Sequence, residues 1–108
     1  QFYRKAWQVR NMLRENVTEI FKDVDVIAMP VAPTPAFKIG EKSSDPLQMY
    51  LNDIFTVFAN VVGIPAISVP GNAVERDGKN LPVGMQFLSA HYNEKKLFEI
   101  GKKFEKIK

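Results

Sequence analysis

Residues 45–90 read DPLQMYLNDIFTVFANVVGIPAISVPGNAVERDGKNLPVGMQFLSA, and this run decides the fold. It starts as a helix pattern. Pro46 suits a first helical position, and Asp45 before it is a good cap. Leu47, Tyr50, Leu51, Ile54, Phe55, Phe58, Val61 and Val62 cover more than half of the circumference, which predicts a buried helix. Asp53, Thr56 and Asn60 recur at helical spacing and leave one narrow polar stripe. Gly63 predicts a left-handed stop, and Pro65 blocks continuation. AISVP at 66–70 then predicts a short apolar strand. The polar NAVERDGKN predicts a loop turning at Asp77-Gly78, and PVGMQFLSA at 82–90 the returning strand of a hairpin.

Outward from this run, Ala6, Val9, Leu13, Val17, Ile20 and Phe21 predict an amphipathic helix over 2–22. VDVIAMP at 24–30 is apolar on both faces and β-branched, which predicts a covered strand, parallel and central in its sheet. Pro30, Pro33 and Pro35 end it and stiffen an extended loop that runs to Pro46. A last helix is expected from Asn93, with Leu97, Ile100, Gly101, Phe104 and Ile107 on its apolar face. The class is α/β with about three strands and three helices, too few to cover a doubly apolar strand, so the sheet is expected to continue in sequence beyond this chain. Residues 1–108 are expected to act as a single segment, and the opening at Gln1, already inside helical periodicity, reads as part of something longer.

Composition narrows the function classes. Hydrophobic content of 45% and charged content of 25% fit a globular protein rather than a disordered one. The absence of cysteine excludes disulfide scaffolds, zinc ribbons and thiol chemistry, and agrees with a cytoplasmic setting. No apolar run reaches the roughly 18–20 residues of a membrane helix. The net charge of +3 is mild. Lys and Arg gather in the first and last helices, where they read as solvated faces; an acidic partner surface is the alternative.

Chemistry-bearing residues are sparse. His91 is the one histidine and reads as a surface or capping residue, since no serine and acid stand at suggestive spacing to it. Ser43, Ser44, Ser68 and Ser89 lie in no nucleophile-elbow pattern, and the Lys-Ser-Ser-Asp loop reads as solvated. No catalytic residue is assigned. Asp53 is the exception: a carboxylate among apolar residues is either paired structurally or held for a cationic group such as a substrate amine. Thr56, Asn60 and Gln86 either bond nearby backbone or line the same wall.

Three stretches carry a resemblance. Asn60 to Pro70 follows N-x-x-G-x-P-A-I-S-V-P, Leu81 to Gln86 follows L-P-x-G-x-Q, and Tyr3 to Arg10 follows Y-x-K-A-x-x-V-R. Together these resemble the C-terminal part of the amidase signature family, and D-P-L-x-M-Y-x-x-D-x-F-T at Asp45 to Thr56 is similar to its tRNA-dependent branch. The resemblance implies a C-terminal fragment of an amidase-type α/β/α sandwich with a mixed sheet. It implies a Ser–cis-Ser–Lys triad upstream of this segment, with no position here matching it. It also implies a parent that hydrolyses glutamine and passes ammonia to partner subunits B and C for amidation of Glu-tRNA(Gln). ATP and magnesium would be used by the partner subunit, none by this segment; tRNA would be met only indirectly, and no membrane is involved. One residue carries over: Asp53 matches the acid that binds the glutamine α-ammonium. Two departures stand out. Phe58 replaces a frequent proline, which predicts a straighter helix, and Gly71-Asn72 replaces a frequent Cys-Gly. A fragment of a general small-amide amidase and a stand-alone basic binding module are the other readings.

Overall fold

The structure, a computed structural model, describes residues 1–41 and 45–107, apart from the side chain of Gln48. The expected solvated loop at Ser43 and Ser44 lies outside the described residues. Helix α1 spans Phe2–Ile20, strand β1 Val26–Pro30, helix α2 Pro46–Leu51 and helix α3 Val57–Val62. Strands β2 (Ala66–Pro70), β3 (Val74–Arg76), β4 (Lys79–Leu81) and β5 (Gly84–Ser89) follow, and helix α4 (Glu94–Ile107) closes the order. The class is α/β, as the sequence predicts, with two helices and two strands resolved inside what read as one helix and one loop.

The hairpin reading holds. β2 and β5 pair antiparallel, with Ala66 opposite Leu88 and Pro70 opposite Gly84. Their connection folds into the β3–β4 hairpin, where Asp77 and Gly78 take φ of 54° and 75°. Two successive positive φ angles are what a tight two-residue hairpin turn demands. The prediction for 24–30 is corrected. The sheet order is β1-β5-β2, and β1 pairs antiparallel with β5, Val26 opposite Ser89. β1 is therefore an edge strand among the described residues. It does run in the same sense as β2, but β5 returns between them and takes the central place.

That central place explains why Gln86, Phe87, Leu88 and Ser89 are all buried. Side chains alternate between faces of a strand. Phe87 and Met85 face α4 with Val69, Ile67, Val26, Leu97, Ile100 and Phe104. Phe87 and Phe104 meet edge to face, centroids 5.5 Å apart. Gly101 is buried on α4, where an added Cβ would stand 3.3 Å from Val69 Cγ1, so the glycine lets helix and strand close together.

The other helices tell a different story. α3 packs on α1. Gly63 ends α3 with φ 80°, and Gly63 N and Ile64 N both donate to Ala59 O, a left-handed cap as predicted. Arg14 Nε donates to Val62 O at 2.9 Å, so α1 supplies a donor to an otherwise unpaired carbonyl at that helix end. Asp45 caps α2 through its carboxylate, which accepts from Leu47 N at 3.0 Å.

The long buried helix is corrected on two counts. It breaks at residues 52–56, where Asp53 N and Ile54 N donate to carbonyls three residues back, tighter than an α-helix. The straightening expected from Phe58 is thus not seen. Nor is the helix buried: Leu47, Met49, Tyr50, Ile54 and Val57 are exposed, Tyr50 by 71%. The reason lies in the shape. The chain is a slab of 45 × 41 × 17 Å, about one sheet plus one helix layer thick. Its accessible surface of 8365 Å² compares with about 6,100 Å² for a compact monomer of this mass. The described residues place nothing over the outer face of α2.

Candidate functional site

Asp53 lies in the turn between α2 and α3, and the turn is built by hydrogen bonds to its own main chain. Asp53 O accepts from Thr56 N at 3.2 Å, Val57 N at 3.3 Å and Thr56 Oγ1 at 3.2 Å. Asn60 Nδ2 approaches Thr56 O at 3.5 Å, a long contact. Of the expected polar stripe, then, Thr56 and Asn60 turn toward nearby backbone, which is the structural reading. Asp53 is the member whose carboxylate stays exposed.

The Asp53 side chain borders a shallow groove of about 320 Å³ with Leu13, Tyr50, Ile54, Val57, Phe58 and Val61. The acid does not stand on a buried helix, as the sequence predicted. It stands at an exposed turn beside an apolar floor. The ion pairs among the described residues are Lys22–Glu19 at 2.8 Å and Lys38–Asp77 at 3.2 Å, so Asp53 is not committed to a described cation. An exposed carboxylate carries little cost unpaired and keeps its lone pairs for an arriving donor. Chemically the arrangement offers charge recognition, with apolar walls that would sharpen it once water is displaced.

Two features were not foreseen as such, one contact of this region and one cleft apart from it. Gln86, 5% exposed, donates Nε2 to Phe55 O at 3.0 Å and so ties the turn to the central strand. The sequence marked Gln86 as a backbone-bonding or cleft residue but not its partner. A larger cleft, about 560 Å³, lies elsewhere, between α1, the end of α3 and the turn after β5, lined by Arg14, Thr18, Lys22, Gly63 and His91 among others. Nothing in the spacing of these residues announces it.

The remaining candidates take structural places. His91 is exposed in the turn before α4, edge-on to Tyr92. Ser89 is fully buried, with Oγ 3.1 Å from Asn93 O and 3.2 Å from Ala90 O. Ser68 is exposed on β2. The described residues include no group of His, Cys, Asp and Glu arranged to hold a metal. No described helix is long and apolar enough to cross a membrane.

The Amidase family model matches residues 1–98, and the chain belongs to the amidase family. Among solved structures it superposes on an amidase crystal structure with a TM-score of 0.75 and 26% identity, over 92% of this chain and 23% of that one. It superposes also on an inhibitor-bound complex from work on the origins of an s-triazine catabolic enzyme, with a TM-score of 0.78 and 27% identity, over 93% of this chain and 22% of that one.

Within the family, the chain is similar to the A component of glutamyl-tRNA(Gln) amidotransferase. It is 50% identical over 105 residues to that of Syntrophus aciditrophicus, covering 97% of this chain and 21% of the relative. It is 46% identical over 104 residues to that of Geobacillus thermodenitrificans, covering 96% and 21%. The chain thus spans about a fifth of the length of the curated relatives it matches.

Proposed function

We propose that this chain is the C-terminal substrate-binding segment of the glutamine-hydrolysing component of such an amidotransferase. Asp53 would accept hydrogen bonds from the α-ammonium of glutamine. Residues 1–108 would act as one segment in a cytoplasmic enzyme. The observation that carries the reading is an uncommitted carboxylate on an apolar groove, in a chain 46–50% identical to such proteins along nearly its whole length.

The division of labour is part of the proposal. Amide cleavage would belong to groups outside this segment, as the family resemblance implies. This segment would orient the substrate. A carboxylate held at a fixed turn favours an ammonium through a charge-assisted hydrogen bond, and that bond positions the carboxamide for attack elsewhere. The ammonia released would serve amidation of Glu-tRNA(Gln) on a partner subunit, with ATP and magnesium used there.

The test is Asp53→Asn in the full-length protein, in complex with its partners. The amide keeps the shape and loses the charge. Glutamine-dependent amidation is expected to fall by about 10²-fold in kcat/KM, the loss of a charged hydrogen bond, while amidation from free ammonia is unchanged. Equal loss with both nitrogen donors would make Asp53 a folding residue.

The likeness to the amidase crystal structure supports a second reading, a general small-amide amidase. Hydrolysis of simple amides by the full-length protein, indifferent to Asp53→Asn, would favour it. A stand-alone basic module draws no support from a slab with this much uncovered apolar surface.

A further inference from the structure

We infer that Gln86 is a positioning residue for the Asp53 turn, and through it for the ammonium site; the inference rests on the proposed role of Asp53. Three observations converge. Gln86 sits on the central strand β5 and is nearly fully buried, a costly place for an amide unless its polar atoms are used. Its Nε2 donates to Phe55 O at 3.0 Å across 31 residues of sequence. Phe55 is two residues beyond Asp53, inside the segment where α-helical geometry lapses.

The lapse is what gives the bond its consequence. Where a side chain reaches into a helical path, that path bends at the point of entry. Here the entry point fixes where α2 ends and α3 begins. The exposed residues of α2 give this turn little packing to rest on. The other side-chain ties among the described residues are local: Thr56 Oγ1 to Asp53 O at 3.2 Å and the long approach of Asn60 Nδ2 to Thr56 O shape the turn but do not connect it to the sheet. Gln86 therefore converts a locally folded turn into one registered against β5. Register matters because a charge displaced by about 1 Å from its productive place loses much of its value.

The experiment uses the full-length protein in its assembled complex. Gln86→Met keeps length and volume but removes the donor, leaving Phe55 O unpaired. The expected result is a rise of about tenfold in the KM for glutamine, with kcat at saturating glutamine and ammonia-dependent amidation both within about twofold. Thr56→Val, which removes only the local tie on a half-exposed residue, gives a smaller rise of about two- to threefold and guards against a Gln86 variant that fails to fold. An unchanged glutamine KM in both variants overturns the inference. So does a parallel loss of glutamine and ammonia activities, which marks a purely structural role. Asp53→Asn measured alongside separates the two ideas. If it raises KM and Gln86→Met does not, the positioning role alone is lost; if neither does, the ammonium site itself is lost.

Discussion

The face of the sheet under α4 and the layer formed by α1, α2 and α3 are both written with apolar residues at regular spacing, yet they bury very different shares of them. Under α4, Phe87, Val69 and Leu97 are buried and the residues around them are partly so. Among the described residues of the helical layer only Val17, Ala59 and Val62 are buried, while Phe2, Tyr3, Met12, Leu47, Tyr50, Ile54 and Val57 face outward. Periodicity reports that a face is apolar, not what covers it. Among the described residues one face finds its cover; the other does not. The chain matches only about a fifth of its relatives' length. The exposed layer is what a segment of a larger domain would leave uncovered.

The largest test of this contrast is Phe87→Ala. It removes a ring held by Phe104 and the α4 face from the buried centre. A loss of about 3–5 kcal/mol in urea-monitored unfolding is expected, enough to unfold a marginal domain. A loss below about 1 kcal/mol would mean that this core is no better packed than the helical layer, and the comparison would collapse.

An intermediate effect is expected where the two descriptions meet. Gly63 ends α3 with φ 80°, and a Cβ there would stand 3.3 Å from the Arg14 guanidinium that serves Val62 O. Gly63→Ala should cost about 1 kcal/mol from the left-handed conformation, and more if Arg14 is displaced. A stabilised variant in the same unfolding assay would show that the cap is not held in the left-handed region.

Legibility followed the same divide. Local chemistry was readable: the Asp45 cap, the Gly63 stop, the Asp77-Gly78 turn and the β2–β5 pairing each follow from residues close in sequence or from a hairpin connection. Non-local placement was not. VDVIAMP looks like a central strand because both its faces are apolar, but centrality depends on which strand returns beside it, and β5 does. The break at 52–56 was invisible because its apolar spacing is helical throughout, while the bond from Gln86 comes from a strand 31 residues away. The acid at Asp53 could be singled out by type alone, but its exposure could not.

The smallest effect is the sharpest discriminator. Ile54 is 48% exposed and borders the Asp53 groove, so Ile54→Ser removes apolar surface that water already touches. In the isolated 108 residues the variant should unfold within about 0.5 kcal/mol of the unsubstituted chain, as surface substitutions do. In the full-length protein the same change should cost about 1.5–3 kcal/mol, because a covered isoleucine would be replaced by a hydroxyl lacking a partner. The comparison turns on the difference between these two values. A large cost in the short chain would mean that α2 and α3 already bury their apolar face against something within it. A negligible cost in both would mean that no covering layer reaches Ile54 in the whole protein and that this part of the helical face stays open to solvent.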